Sequence, residues 1–241
     1  MAGSYYIALS GMRARLDALD RLASDIANVS TAGYKAERAT TAQSDREDFS
    51  ASLQAAIDVA NGPTRIDLRA GAIAATGRDL DVAIDGPGMF AVDTPAGVRY
   101  TRDGRFVRRA DGVLATASGM AVEGEGGGPI TLGKDPVHVD GDGNVRSSSG
   151  VSIGRLKVVE FDNPGALIRE GTDTFRSDNE EPKPAVDSAV RPGALEQSNV
   201  SVVDRIAELT TVSRNFETMQ RALSILANDV DLRAITELGR R

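Results

Sequence analysis

The stretch SVVDRIAELTTVSRNFETMQRALSILANDVDLRAITEL, residues 201–238, decides the fold. Val202, Leu209, Phe216, Leu223 and Val230 recur at every seventh position, and Arg205, Val212, Met219, Leu226 and Arg233 fill the second place of the same heptad. Apolar residues at that spacing form one narrow seam on an α-helix. Ser201 offers a cap oxygen, with Asn199 an equal candidate, and Asp204 puts a negative charge in the first turn. The pattern predicts a helix from about Val202 to about Leu238, roughly three times the ~11–12 residues of an average globular helix. A helix of that length with so narrow a stripe requires a second helix beside it.

The other end of the chain supplies one. Tyr5, Leu9, Met12, Leu16, Leu19, Ala23 and Ile26 are separated by alternating steps of four and three, again a heptad seam. Ser4 is the expected cap, Asn28 to Thr31 loosen the last turn, and Gly33 is the expected stop. The two terminal helices are expected to pair as a coiled coil through Leu9, Met12, Leu16, Leu19 and Ile26 on one side and Val202, Leu209, Val212, Phe216, Met219, Leu223, Leu226 and Val230 on the other. Leu22, Ile206, Ile225 and Ile235 lie off these seams, which favours a second contact face.

Between the helices the pattern changes. From Thr76 to Phe175 short β-type runs (Leu80–Ile84, Phe90–Asp93, Val98–Thr101, Phe106–Arg108, Val137–Val139, Leu156–Phe161) alternate with turn signals such as Asp85-Gly86, Asp103-Gly104, Asp111-Gly112 and Asn163-Pro164. No helical period interrupts them, which argues for antiparallel hairpins over a βαβ sheet. The expected fold class is α+β, with a mainly antiparallel β domain at 76–176. The N-terminal helix occupies 1–35 and the C-terminal helix 200–241. Extended arms at 36–75 and 177–199 join them to the β domain, with a short helix conceivable at 55–60.

Composition narrows the function. Trp and Cys are absent, aromatic residues are 4% and the net charge is −7. Few aromatics disfavour a large small-molecule pocket, and the acidic balance disfavours nucleic acid. Without Cys there is no disulfide, thiolate chemistry or Cys-type zinc site. No signal-peptide pattern opens the chain and no apolar run reaches the ~18 residues of a membrane span. His138, the single histidine, reads as a solvent-facing strand residue, since neither Cys nor a Gly-x-Ser-x-Gly elbow is present to partner it. Asp140, Asp142 and Asn144 begin like a calcium loop, but Val145 stands where Gly is required and Val151 where Glu is required. Asp79, Asp81 and Asp85 read as a solvated edge rather than a glycosidase pair. Gly124 to Pro129 lacks the Lys-Ser/Thr of a phosphate loop and reads as a flexible turn.

Several stretches resemble the rod and hook proteins of the bacterial flagellum. ANVSTAGYK (27–35), with Asn28, Gly33 and Tyr34, is similar to the motif after that family's first helix, and IALSGM (7–12) to the entry into that helix. TGRDLDVAIDGPGMF (76–90), with Gly86 and Gly88, and YTRDGRF (100–106), with Tyr100 and Gly104, resemble its β domain. GALEQSNV (193–200), with Ser198 and Asn199, and RNFE (214–217) complete the set in order. Pro87 and Met89 depart from the family's usual Gly-x-Gly-Phe-Phe. MAVEGEGGGPI (120–130) and GRLKVV (154–159) resemble a proximal-rod member most, with distal-rod and hook members as alternatives.

The resemblance implies a structural protein and not an enzyme, with no cofactor, metal, catalytic residue or small-molecule substrate. It implies export through the flagellar type III apparatus without a cleaved signal, and assembly with itself and other rod subunits into a periplasm-spanning shaft. No nucleic acid and no membrane insertion are implied. Outside the family, a secreted β-rich binding module or adhesin is the competing reading.

Overall fold

The computed structural model describes residues 2–39, 64–163, 165, 167–178 and 180–238; for residues 2–8, 10, 39 and 226–238 it describes the backbone alone. The possible short helix at 55–60 lies outside the described residues. The chain forms two compact units, one of Met1–Ile26, Ala39–Thr64 and Ser201–Arg241, the other of Ala27–Arg38 and Arg65–Val200.

The first unit carries two long helices, α1 (Ala2–Ala27) and α2 (Val202–Leu238). Helix α1 starts two residues ahead of the cap expected at Ser4. It ends in a turn in which Thr31 N–H donates to the Asn28 carbonyl at 3.1 Å, and Gly33 follows at φ 68°. Ser201, rather than Asn199, caps α2: its hydroxyl accepts from Asp204 N–H at 3.4 Å, and its carbonyl accepts from Arg205 N–H at 3.0 Å. On the exposed side of α2, Thr210, Thr211 and Thr218 donate their hydroxyls to the carbonyls one turn back, which satisfies them without a tertiary partner.

The second unit is built of short antiparallel strands. In chain order they are β1 (Glu37–Ala39), β2 (Thr64–Ile66), β3 (Ile73–Ala75), β4 (Val82–Asp85), β5 (Met89–Thr94) and β6 (Gly97–Thr101). Then come β7 (Phe106–Arg108), β8 (Leu114–Thr116), β9 (Ala121–Val122), β10 (Val137–Val139), β11 (Asn144–Ser147) and β12 (Ser152–Arg155). The last are β13 (Val158–Glu160), β14 (Ile168–Arg169), β15 (Thr174–Arg176), β16 (Lys183–Pro184), β17 (Ala189–Pro192) and β18 (Ala194–Glu196).

The main sheet runs β14-β15-β6-β5-β9-β8-β7, with β13 also on β5 and β16 on β13. Strand β5 is its spine. Phe90 and Val92 face one core with Val82, Ile84, Phe106, Leu114, Val122 and Leu156. Met89 and Ala91 face the other, with Ile66, Tyr100, Val159, Phe161 and Phe175. Burial on both faces is why β5 reads as an unbroken apolar run rather than an alternation. Phe90 meets Phe106 edge to face at 5.0 Å between centroids, and Tyr100 meets Phe161 likewise at 4.8 Å, a geometry that adds to area burial. A small sheet, β10-β11-β12, closes one end of the first core.

Beyond the sheet the chain doubles back on itself. Strand β17 pairs antiparallel with β4, and β18 with β3, Glu196 opposite Ile73. Parts of 177–199, expected from Glu180-Glu181-Pro182-Lys183-Pro184 to be loop-like, are therefore laddered onto the outgoing chain.

Two glycines differ in how closely another backbone approaches them. A Cβ on Gly104 would lie 1.6 Å from the Val82 carbonyl oxygen, which leaves no room for a side chain. Gly126 has nothing within 4 Å. Gly104→Ala is therefore expected to lower stability by about 4 kcal/mol or more, in the range reserved for gross steric conflict, while Gly126→Ala stays within about 0.5 kcal/mol of wild type. Urea unfolding of both variants checks this; a similar midpoint for the two would contradict the packing described.

Candidate functional site

The seam positions of the helices differ in burial. On α2 Arg205, Leu209, Val212, Phe216, Met219 and Leu223, spaced by four and three, are less exposed, as is Ser213, with Val212 buried; Val202 is 37% exposed. The side chains of Leu226 and Val230 lie outside the described residues. On α1 Met12, Leu19 and Ile26 are half-buried, whereas Leu9 and Leu16 are 41% and 45% exposed. Leu22, read as off the seam, is the most buried apolar residue among the described side chains of α1, at 4%. Contacts between the helices include Arg205 Nε, 3.2 Å from Asp25 Oδ2, and Met219 Cε, which would lie 3.5 Å from a Cβ on Gly11. One contact links the end of α1 to the start of α2 and the other links positions further from both, so the helices run antiparallel. Exposed apolar side chains remain on them, Val203, Ile206 and Ile225 among them.

In the second unit the residues of the quoted motifs converge. Glu196, 1% exposed, is the hub. Its Oε1 accepts from Lys35 Nζ at 2.5 Å and from Gly71 N–H at 2.8 Å, and its Oε2 accepts from Arg102 Nη1 at 3.2 Å. Lys35 Nζ also donates to the Arg69 carbonyl, and Arg102 donates to the carbonyls of Ile84 and Gly86. Burial pushes the Lys35 ammonium and the Arg102 guanidinium down from their ordinary pKa values, and the Glu196 carboxylate opposes both.

The motif residues brace this triad. Gly33 N–H donates to the Glu196 carbonyl at 2.8 Å; its φ of 68° and the Arg102 backbone, 2.3 Å from where a Cβ would stand, leave glycine as the only fit. The Asn199 side chain accepts from Ala36 N–H and donates to the carbonyls of Asp67 and Arg69. Tyr34, 2% exposed, lies under the Arg169 guanidinium at 4.7 Å, with Phe175 at 5.2 Å from the same group, a cation–π arrangement. Arg169 also binds Glu37 at 2.5 Å. Gly88 N–H donates to the Ser188 hydroxyl at 2.8 Å, and Ser198 Oγ accepts from Val200 N–H. Asn28 accepts the Thr31 hydroxyl, and the Tyr100 ring is in the second core.

Reasoning from sequence placed Asn28, Gly33, Tyr34, Gly86, Gly88, Tyr100, Gly104, Ser198 and Asn199 among the characteristic residues but passed over Lys35, Arg102 and Glu196. The available signal was one charged residue in each of three separate motifs, with signs that allow pairing.

The other candidates have bland surroundings. His138 is exposed on β10. Burial disfavours the Asp140 carboxylate, yet hydrogen bonds from Arg146, Asn144 and Asp142 hold it well below the usual carboxylate range, its oxygens occupied by the turn itself. Asp79 and Asp85 are exposed while Asp81 is buried. No metal-holding cluster occurs among the described residues, and no helix among them is long and apolar enough to cross a membrane.

Asp173 has different surroundings. Burial, then the neighbouring charge and hydrogen bond of Asp103, raise its pKa above the ordinary value, against the pull of Arg105, which grips Asp103 through Nε and Nη2 at 2.9 and 2.8 Å. A carboxyl whose folded pKa is raised contributes stability below its unfolded pKa of about 3.9 and loses it as pH rises through the folded value. Asp173→Asn fixes the neutral form. Its melting temperature at pH 7 is expected to exceed wild type by about 2–4 °C, the worth of ~1 kcal/mol in a chain of this size, and the gain should fade toward pH 4. Melting curves at both pH values check this; a gain that persists or grows at pH 4 would refute the sign.

Two family descriptions match the chain: "Flagellar hook protein FlgE/F/G D1 domain" over residues 83–153 and "Flagellar basal body rod FlgEFG protein C-terminal" over residues 191–228. The chain is 34% identical to flagellar basal-body rod protein FlgF of Caulobacter vibrioides, covering 100% of this chain and 99% of that one. It is 33% identical to FlgF of Rhizobium meliloti, with 99% of each covered. Flagellar basal-body rod protein FlgG of Bacillus subtilis is 29% identical over 100% of both chains.

Proposed function

Because this chain belongs to the flagellar basal-body rod protein family, we propose that it is a structural subunit of the rod, placed in its proximal part. The family is structural, and the role is packing rather than catalysis. The observation that carries the reading is similarity to basal-body rod proteins along the whole chain, both helices included.

In this reading the terminal helices pair as a coiled coil through the seam residues and dock on neighbouring subunits to build a helical shaft that carries motor torque. The Arg205–Asp25 ion pair and the approach of Met219 to Gly11 support the pairing. Leu9, Leu16, Val203, Ile206 and Ile225, exposed in the single chain, support the docking, since each such side chain gains about 1.5–3 kcal/mol on full burial. A shaft under torsion needs many packed contacts, individually weak and collectively stiff. The partners are other rod subunits and, on the way out, the flagellar type III export apparatus, with final location in the basal body. The distal rod and the hook are the alternatives within the family. An adhesin-like β module is the alternative outside it; that reading would leave function intact after removal of both helices.

Deleting the gene from its flagellated host and imaging basal bodies by electron microscopy tests the assignment. A rod that stops near the inner membrane and is restored by complementation is expected. A complete proximal rod lacking only distal parts would move the subunit outward, and intact basal bodies would overturn the reading. Leu209→Asp and Leu223→Asp each place a charge on the α2 seam. Both are expected to reduce incorporation into isolated rods at least about a hundredfold, the effect of ~3 kcal/mol, while far-ultraviolet circular dichroism still reports a folded β domain. Normal incorporation of both would remove the seam from the assembly mechanism.

A further inference from the structure

We propose that residues 33–36, 67–75 and 194–199 form a polar latch, closed by the Glu196 carboxylate, that opens without unfolding the β core. The three segments come from widely separated parts of the chain and meet in one layer. Strand β18 ladders onto β3, Gln197 N–H donates to the Ala72 carbonyl at 2.8 Å, and Gly33 N–H donates to the Glu196 carbonyl at 2.8 Å. This layer has less apolar burial than the core: Tyr34, Ala36 and Val200 form its cluster with Val29 packed against it, Ala194 and Leu195 are buried and Leu68 packs against the second core, whereas the first core is lined by Val82, Phe90, Phe106, Leu114 and their neighbours.

What the layer has instead is charge. Lys35, Arg102 and Glu196 are each 3% exposed or less, and among the described residues Glu196 is the one anion that touches both cations. A buried triad contributes little net stability over an apolar equivalent, but loss of the shared partner leaves uncompensated charges in a low dielectric. Stability in such a structure is uneven, and the segments with fewest apolar contacts open first. Glu196 also accepts from the Gly71 amide, so one side chain clips the incoming, outgoing and returning chain. The proposal concerns the second unit alone and stands apart from the rod assignment.

Amide hydrogen exchange on the full chain tests it, read by mass spectrometry on peptides covering 33–36, 67–75, 194–199 and, for the core, 89–94, 98–101 and 114–116. In Glu196→Gln, which keeps the shape and removes the charge, latch peptides are expected to exchange at least about a hundredfold faster, with core peptides unchanged. Lys35→Met, which leaves Glu196 paired with Arg102, should have an effect at least about tenfold smaller. In wild type, urea well below the global midpoint should speed exchange in the latch before the core, a readout that needs no variant to fold. If latch and core peptides accelerate together in every case, the unit is one cooperative body and the latch does not exist. If Glu196→Gln leaves latch exchange at the wild-type rate, the charge does not close it.

Discussion

Two cations and one carboxylate are buried together where three passes of the chain cross, and most of the local geometry follows from keeping that carboxylate in reach of all its donors. Lys35, Arg102 and the Gly71 amide must all approach within hydrogen-bond distance of Glu196. That forces the backbones together: a Cβ on Gly71 would lie 1.9 Å from the Gln197 carbonyl oxygen, and one on Gly33 would strike the Arg102 backbone. Arg102 in turn fixes the bend after β4 through the Ile84 and Gly86 carbonyls. Removing the shared partner of a buried ion pair costs about 3–5 kcal/mol, so both cations depend on Glu196, which keeps Arg102 if Lys35 is lost.

The β core obeys a different logic. Strand β5 has apolar side chains on both faces and serves two clusters at once, so its stability rests on area removed from water and on two edge-to-face aromatic contacts. The helical unit obeys a third. Its α2 seam is half-buried, and its charged contact, Asp25 with Arg205, joins an almost fully buried carboxylate to a guanidinium that is 15% exposed.

The helices were legible because periodicity survives any tertiary context: α2 spans Val202–Leu238, the range its heptads indicate. The orientation of α1 was less so. A straight helix drifts about 20° per heptad against a strict seven-residue repeat, and burial falls on Leu22 and Asp25 while Leu16 turns outward. Strands with bulky runs, such as β5, β6 and β7, were readable, but β8, β11 and β12 were not. Ser152-Ile153-Gly154-Arg155 and Asn144-Val145-Arg146-Ser147 hold too few apolar residues to signal a strand, and only pairing with a neighbour makes them one. The triad was hidden for the opposite reason. Charged residues are expected at the surface, so Lys35, Arg102 and Glu196 passed as solvated although each stood inside a quoted motif.

The antiparallel return of the chain has a mechanical side. Strands β3 and β18 begin and end at the same edge, with the Gln197 N–H to Ala72 carbonyl bond at the mouth, Ile73 opposite Glu196 as the next rung and Asp85 opposite Ala189 as the innermost. Tension applied between residues 72 and 197 therefore loads this ladder as a zipper, one rung at a time, not as a sheared sheet in which all rungs share the load. A zipper is only as strong as its fork. Directly behind the Ala72–Gln197 bond stands the rung whose side chain is held by Lys35 and Arg102, so a hard rung to part guards the mouth, and the core strands between residues 85 and 189 stay out of the load path until it yields.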